Sequence, residues 1–255
     1  MQWLKAIIGF ILITIVSSKP ALAEKVSIAV GDWPPYLSEQ LKHNGIIGHL
    51  LHDLFKEAGY ELTLSFYPWS RAYSLAKIAK QDMTGVWMLK PEREEDFHYS
   101  DPVLNEQFVF FHLKSTQFDW QSLDDLTGLV MGGGSEYSYG PEFDQALSAG
   151  KITIERVPTK YQNWRKLLLG RIAIYPEEIN VGYSSLKQLY PKDKVDLVTH
   201  HPKPLLNNVS YLLFPKSADT SLRRLKDFNK QLHAFRKSGR YNMYFKKFRE
   251  GYYDK

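Results

Sequence analysis

Three short runs suited to buried strands, Val26 to Val30, Glu61 to Phe66 and Asp82 to Leu89, each end in a loop rich in aromatic or charged residues. Between the first two lies Gly45 to Gly59, GIIGHLLHDLFKEAG. There Leu50, Leu51, Leu54, Phe55 and Ala58 recur at helical spacing, and Gly59 suits the residue that closes a helix. Strand, helix, strand is the unit from which parallel sheets are built. Parallel strands end along one edge, and an open α/β sheet receives small molecules there. The edge expected here carries Asp32, Trp33 and Tyr36, then Trp69 and Arg71, then Trp87 and Arg93. Pro34 and Pro35 stiffen the first of these loops and hold its aromatics outward. Ser70 is placed to cap a helix over Arg71 to Lys80.

The third strand end belongs to the block Gly85 to Pro102, GVWMLKPEREEDFHYSDP. Arg93 sits just past the apolar run, where a guanidinium can grip a planar anion through two parallel hydrogen bonds. Its neighbours Glu92, Glu94, Glu95 and Asp96 offer a second reading, a structural arginine paired with local acids. The block alone leaves both open. The recurrence of polar and aromatic groups at successive strand ends favours the first.

Val103 to Leu113 reads as a central strand leading elsewhere, and the pattern restarts at Leu129. Gly132 to Gly134 can bring backbone N–H groups close to an anion, although no phosphate-loop signature follows. The spacing then predicts a helix over Phe143 to Ala149, a strand over Ile152 to Val157 and a helix over Tyr161 to Leu169. A strand over Arg171 to Tyr175 follows, with Pro176, Glu177 and Glu178 at its end, then a helix over Asn180 to Tyr190 and a strand over Val195 to Val198. Val209 to Phe214 is the next strand. Leu222, Leu225, Phe228, Leu232 and Phe235 form the apolar stripe of a helix over Ser221 to Ser238, and Tyr241 to Tyr253 closes the chain as an aromatic, basic helix.

Residues 1–23 read as an export leader. Lys5 gives the positive start, Ala6 to Val16 the apolar stretch, and Ala21-Leu22-Ala23 the cleavage site. Removing them from the 255 residues leaves 232 and takes away Lys5 and Lys19, so the formal charge falls from +5 to +3. That is no case for a nucleic-acid partner, because the basic residues are dispersed. The chain has no cysteine, which excludes disulfides, iron–sulfur clusters and thiol nucleophiles. There is no HExxH or comparable metal cluster, and no GxSxG turn.

Taken in order, these stretches resemble the periplasmic solute-binding proteins of the polar amino acid type, solute-binding protein family 3, with the type II periplasmic-binding fold. The resemblance runs through the leader, Gly31 to Tyr36, the GIIGHLLHDL helix, Gly85 to Pro102, Leu126 to Gly140, Leu169 to Ile172, and the segment from Phe228 to Tyr241. It implies an α/β fold of two lobes, each a mostly parallel sheet flanked by helices. Lobe 1 would be 24–112 and 209–255, lobe 2 would be 116–205, and the hinge crossovers would be 113–115 and 206–208. It also implies a periplasmic monomer without catalytic residues, metal or cofactor. Such a protein captures a small polar, carboxylate-bearing solute, an amino acid or relative, by hinge closure for an ABC-type importer.

The residues that the resemblance and the strand ends assign to the ligand are Arg93, Trp33, Tyr36, Trp69, Arg71, Trp87, Ser135, Ser138 and Glu178. Arg93 would take the carboxylate, Ser135 and Ser138 would supply lobe 2 hydroxyls, and Glu178, with Glu177 beside it, would receive an amino group. Val86, Met88 and Lys90 stand where amino acid binders carry hydroxyl residues, and Ala173 where they carry an aspartate. Two other readings stay open: a ligand-binding accessory or signalling module that meets a membrane sensor, and an enzyme on the same fold, such as a dehydratase or lytic hydrolase.

Overall fold

The computed structural model describes residues 23–135 and 137–253, and all of the expected leader but Ala23 lies outside the described residues. Strand β1 (Glu24–Val30), helix α1 (Gly45–Glu57) and strand β2 (Tyr60–Phe66) form the opening unit, with β1 and β2 parallel from Glu24↔Tyr60 to Val30↔Phe66. Leu50, Leu51, Leu54 and Phe55 are buried, as their helical spacing requires. Gly59 turns the chain back at φ +87, a conformation in which a Cβ would be strained. Helix α2 (Trp69–Lys77) begins earlier than expected: Pro68, not Ser70, stands at its cap. Strand β3 (Met83–Met88) then pairs parallel to β1. Short β4 (Phe97–Tyr99) and long β5 (Leu104–Leu113) follow.

The second half contains β6 (Met131–Gly134), α3 (Pro141–Ser148), β7 (Ile154–Val157), α4 (Lys160–Leu168), β8 (Tyr175–Glu178), α5 (Ile179–Leu189), α6 (Lys192–Val195) and β9 (Val198–His200). The chain returns through β10 (Leu206–Pro215) and ends with α7 (Ser221–Lys237) and α8 (Arg240–Arg249). The large sheet has the order β2-β1-β3-β10-β5-β8, with β4 on β10 and β9 on β5. Strands β6 and β7 are parallel, and Met131 bridges in parallel to Ile174. Among the described residues no helix is long and apolar enough to cross a membrane.

Among the described residues the buried side chains form four clusters, two around the first sheet strands and two on the opposite faces of β5, which make up a first and a second core. In the first, Ile28, Leu50, Phe55, Leu212, Phe228 and Leu232 pack β1, α1, β10 and α7 together. Leu222, expected to begin the α7 stripe, is 60% exposed because the buried face of that helix runs through Ser221, Arg224, Phe228, Leu232 and Phe235. In the second, successive residues of β5 point to opposite faces. Phe108 and Phe110 pack with Trp120 and Phe143, while Val109 and Phe111 pack with Trp164, Leu167 and Leu186. Phe108 to Phe111 therefore belong with the second core, not with the first lobe as the 24–112 boundary had them. The change of core falls inside β5, where Leu104 to Phe108 pair antiparallel with Ser210 to Leu206 of β10. The crossover is a paired pair of strands rather than the two short linkers expected.

Two further expectations change. The strand anticipated at Arg171 to Tyr175 is instead Tyr175–Glu178, because the apolar run Phe108 to Phe111 takes those four residues as its antiparallel partner. Glu177 and Glu178 thus lie within the sheet rather than beyond it. The strand anticipated at Val195 to Val198 begins where that range ends, at Val198.

Candidate ligand cleft

A cavity of about 550 Å³ opens between the two cores. From the first lobe it is lined by Trp33, Trp69, Trp87 and Arg93, and from the second by Ser135, Ser138, Tyr137, Lys160 and Asn163, with Glu106 and Ser210 on the crossover strands between. Six of the nine residues expected at a ligand therefore meet at one cavity: Arg93, Trp33, Trp69, Trp87, Ser135 and Ser138.

The aromatic wall is positioned by backbone economy. The indole of Trp69 lies directly on Gly31, where an added Cβ would come within 2.1 Å of the ring. Trp69 and Trp87 pack edge to face at 5.1 Å. The Trp87 Nε1–H donates to Thr84 Oγ1 at 3.0 Å, and the Thr84 hydroxyl donates to the Ala29 carbonyl at 2.7 Å. That chain of bonds locks the ring to β1, and Trp33 is fixed against Tyr36 at 4.8 Å.

Arg93 rests with its guanidinium 4.6 Å from the centre of the Trp87 ring, and its Nη1 donates to the Met88 carbonyl at 2.8 Å. Among the described residues no acid forms an ion pair with it. The acid close by, Asp96, is taken by Lys77 at 2.8 Å. The reading of Arg93 as a structural arginine paired with its local acids is thereby overturned. Lys90 and Lys160 add two more cations to the lining.

Three expected contacts lie elsewhere. Arg71 is exposed on α2 with its guanidinium 5.2 Å over Tyr67, because the helix turns it away from the strand edge. Glu178 is fully buried and caps α5, accepting from the Val181 N–H at 2.8 Å. It also accepts from the Tyr36 hydroxyl at 3.1 Å, and Tyr36 in turn accepts from Asn180 at 2.8 Å. Tyr36 and Glu178 thus tie the first loop to the second lobe and line none of the cavity. Their place in β8 and the first loop directs them to each other. Burial pushes the Glu178 carboxyl up to about 7.

The glycine run also behaves differently from expectation. Gly132 to Gly134 form β6, and their N–H groups are engaged: Gly132 donates to the Ile174 carbonyl at 3.0 Å and Gly134 to the Tyr139 hydroxyl at 2.8 Å. These glycines make room for side chains instead. A Cβ on Gly132 would fall 2.7 Å from Asn163, and one on Gly134 2.0 Å from Tyr137. Arg156 pins the following turn by donating to the Gly134 and Tyr137 carbonyls at 2.6 and 2.9 Å. Ser138 donates its hydroxyl to Asp144 at 2.5 Å, so toward the cavity it can only accept.

The sequence reading missed Glu106 and Asn163. Both carried a signal. Leu104, Glu106 and Phe108 share the buried parity of β5 while Asn105 and Gln107 are exposed, so an acid occupies an apolar position. Asn163 stands one turn before Leu167 on the inward face of α4. A charged or amide group on a buried stripe is the informative exception.

Two α/β lobes joined by paired strands, with a cleft between them lined from both sides, define the architecture of a solute receptor. The chain belongs to the bacterial extracellular solute-binding proteins, family 3, whose family model matches residues 26–251. No curated protein matches the chain by sequence. Among solved structures it is similar to an ancestral arginine-binding protein bound to arginine, with a TM-score of 0.70 at 16% identity over 89% of this chain and 98% of that one. A histidine kinase sensor domain with similarity to periplasmic binding proteins gives 0.69 at 16% identity, over 88% and 96%. The GluR0 ligand-binding core from Nostoc punctiforme in complex with L-glutamate gives 0.67 at 19% identity, over 87% and 98%. These likenesses establish the shared fold.

Proposed function

We propose that the chain is an exported periplasmic receptor that captures a small carboxylate-bearing solute, an amino acid or relative, in the cleft between its lobes. The observation that carries this reading is Arg93: a cation on the cavity wall, held by a carbonyl and a ring face, with no acid as partner among the described residues. A carboxylate arriving there gains a charge-assisted bond without displacing one already made. Trp33, Trp69 and Trp87 form the apolar wall, and Ser135 and Ser138 meet the solute from the second lobe. Closure would bend the chain at β5 and β10, the strands that carry both lobes. The closed form would be delivered to a membrane permease of the ABC type. The second reading, a module that reports the solute to a membrane sensor, draws on the likeness to a histidine kinase sensor domain.

Native mass spectrometry of the protein purified from an exporting host, followed by release and identification of the retained solute, tests the proposal. The expected result is a small carboxylate that rebinds to the wild type. Arg93→Ala should weaken it at least about 100-fold, the scale for removing one partner of a desolvated charge pair. A retained solute lacking any anionic group, or one that binds the variant as tightly, would refute the anchor.

A further inference from the structure

Two polar side chains open on the same cavity with bonding capacity that the protein leaves unused. Glu106 is 4% exposed. Its Oε2 accepts from the Asn208 amide at 3.0 Å, and Oε1 has no partner. Asn163 is 1% exposed, and neither atom of its amide has a partner. Both line the cleft, Glu106 from β5 and Asn163 from the first turn of α4. Buried polar groups are rarely left unsatisfied, because each costs the water it gave up. Two on one cavity mark a place where something else supplies the bonds.

The chemistry of the missing partner is constrained. A carboxylate only accepts, so Glu106 requires a donor, and a buried anion is best stabilised by a donor that carries positive charge. None of the described residues provides one. Among the described residues Glu106 forms no ion pair, and the groups that lower its charge cost are the neutral side chains of Asn208 and Ser210. Lys160 lines the cavity, but it forms no ion pair with Glu106, and its ammonium lies 5.7 Å over the Tyr137 ring. Asn163 can accept from the same kind of donor through Oδ1, in the space that Gly132 leaves by lacking a Cβ. The tryptophan walls add faces that attract a cation.

We propose that Glu106 and Asn163 form a second polar subsite of the cleft, which receives an ammonium or guanidinium group of the solute. This rests on the reading of the cleft as the solute site. It assigns the cation-receiving role to the crossover strand and α4 rather than to Glu178, which the fold uses as a helix cap.

The test is calorimetric titration of the solute-stripped protein with matched compounds that differ by one positive charge. The pairs are L-arginine against L-citrulline, L-lysine against L-norleucine, and L-phenylalanine against 3-phenylpropionate. In the wild type the more cationic member of at least one pair should bind at least tenfold tighter. Glu106→Gln, checked for folding by circular dichroism, should erase most of that difference while leaving the less cationic member of that pair within about threefold, as expected for loss of one charged contact. Asn163→Leu should weaken the cationic member in the same direction, and it serves as the readout if Glu106→Gln does not fold. A preference unchanged in both variants overturns the subsite. Arg93-dependent binding with no preference within any pair overturns the subsite alone and leaves the proposed function standing. No binding by any of the six compounds counts against the proposed function and the subsite together.

Discussion

Arg93 and Arg224 lie in the same lobe and are held in opposite ways. Arg224, on α7, is 7% exposed and fully committed: it bonds Glu24 at 2.8 Å and Asp82 at 2.6 Å, stitching the start of β1 to the approach of β3. Arg93 lines the cleft, with a carbonyl and an indole face as its supports and no acid among the described residues. An arginine that a fold needs is surrounded by its counter-charges. An arginine that a fold keeps for something else is oriented by neutral groups, which fix its position without satisfying its charge. Two buried acids repeat this contrast with reversed sign. Glu178 is consumed by Val181 and Tyr36, whereas Glu106 retains an unpartnered oxygen.

The contrast is open to direct attack. Arg224→Ala should cost about 3 kcal/mol, toward the low end for breaking a buried pair because both of its acids keep some contact with water. In a chain of this size that corresponds to a loss of about 6–12 °C in Tm. Arg93→Ala should move Tm by less than about 2 °C, its effect falling on binding instead. Equal losses of stability in the two variants would erase the distinction.

Glu178 gives the next largest effect, and its sign is set by the pH window. The folded chain holds the Glu178 proton up to about 7, while the unperturbed value is 4.5. The folded state therefore binds the extra proton between those values, and stability falls as pH rises through the window. Burial pushes Glu106 and Glu177 upward too, which adds to the fall. His49, brought down from 6.5 to about 4 by burial, acts oppositely and costs stability as pH drops. Glu178→Gln should remove its own slope, so that the variant gains about 2–3 kcal/mol on the wild type between about pH 4.5 and 8. Denaturant midpoints that run parallel across that range would contradict it.

Smaller effects test the wall. Trp69→Ala should weaken the solute about tenfold through lost ring contact. Gly31→Ala should act similarly, because its Cβ would occupy the space of the Trp69 indole. The double variant should be no worse than Trp69→Ala alone, and additive losses would show that Gly31 acts by another route. Arg71→Ala, outside the cavity and exposed, should leave binding within about twofold and Tm nearly unchanged.

The sequence by itself determined the parts that depend on local pattern. Helical spacing located α1, and apolar runs ending in aromatics located the strand ends that bring Trp33, Trp69, Trp87 and Arg93 to one edge. That convergence on one cavity was legible because a parallel unit fixes which end of each strand shares an edge. Whatever depends on pairing between distant segments was settled only in the tertiary structure. Residues 175–178 became a strand by pairing with Phe108 to Phe111, whose other edge faces β10 and β9, and that pairing made Glu178, an expected ligand contact, a helix cap. Arg93 has no acid partner among the described residues, and Asp96 pairs instead with Lys77 on another element. Glu106 reached the cleft because β5 changes cores at that point in its length. Local periodicity says which face of an element is buried, whereas the group that meets a buried charge is chosen by how the whole chain closes.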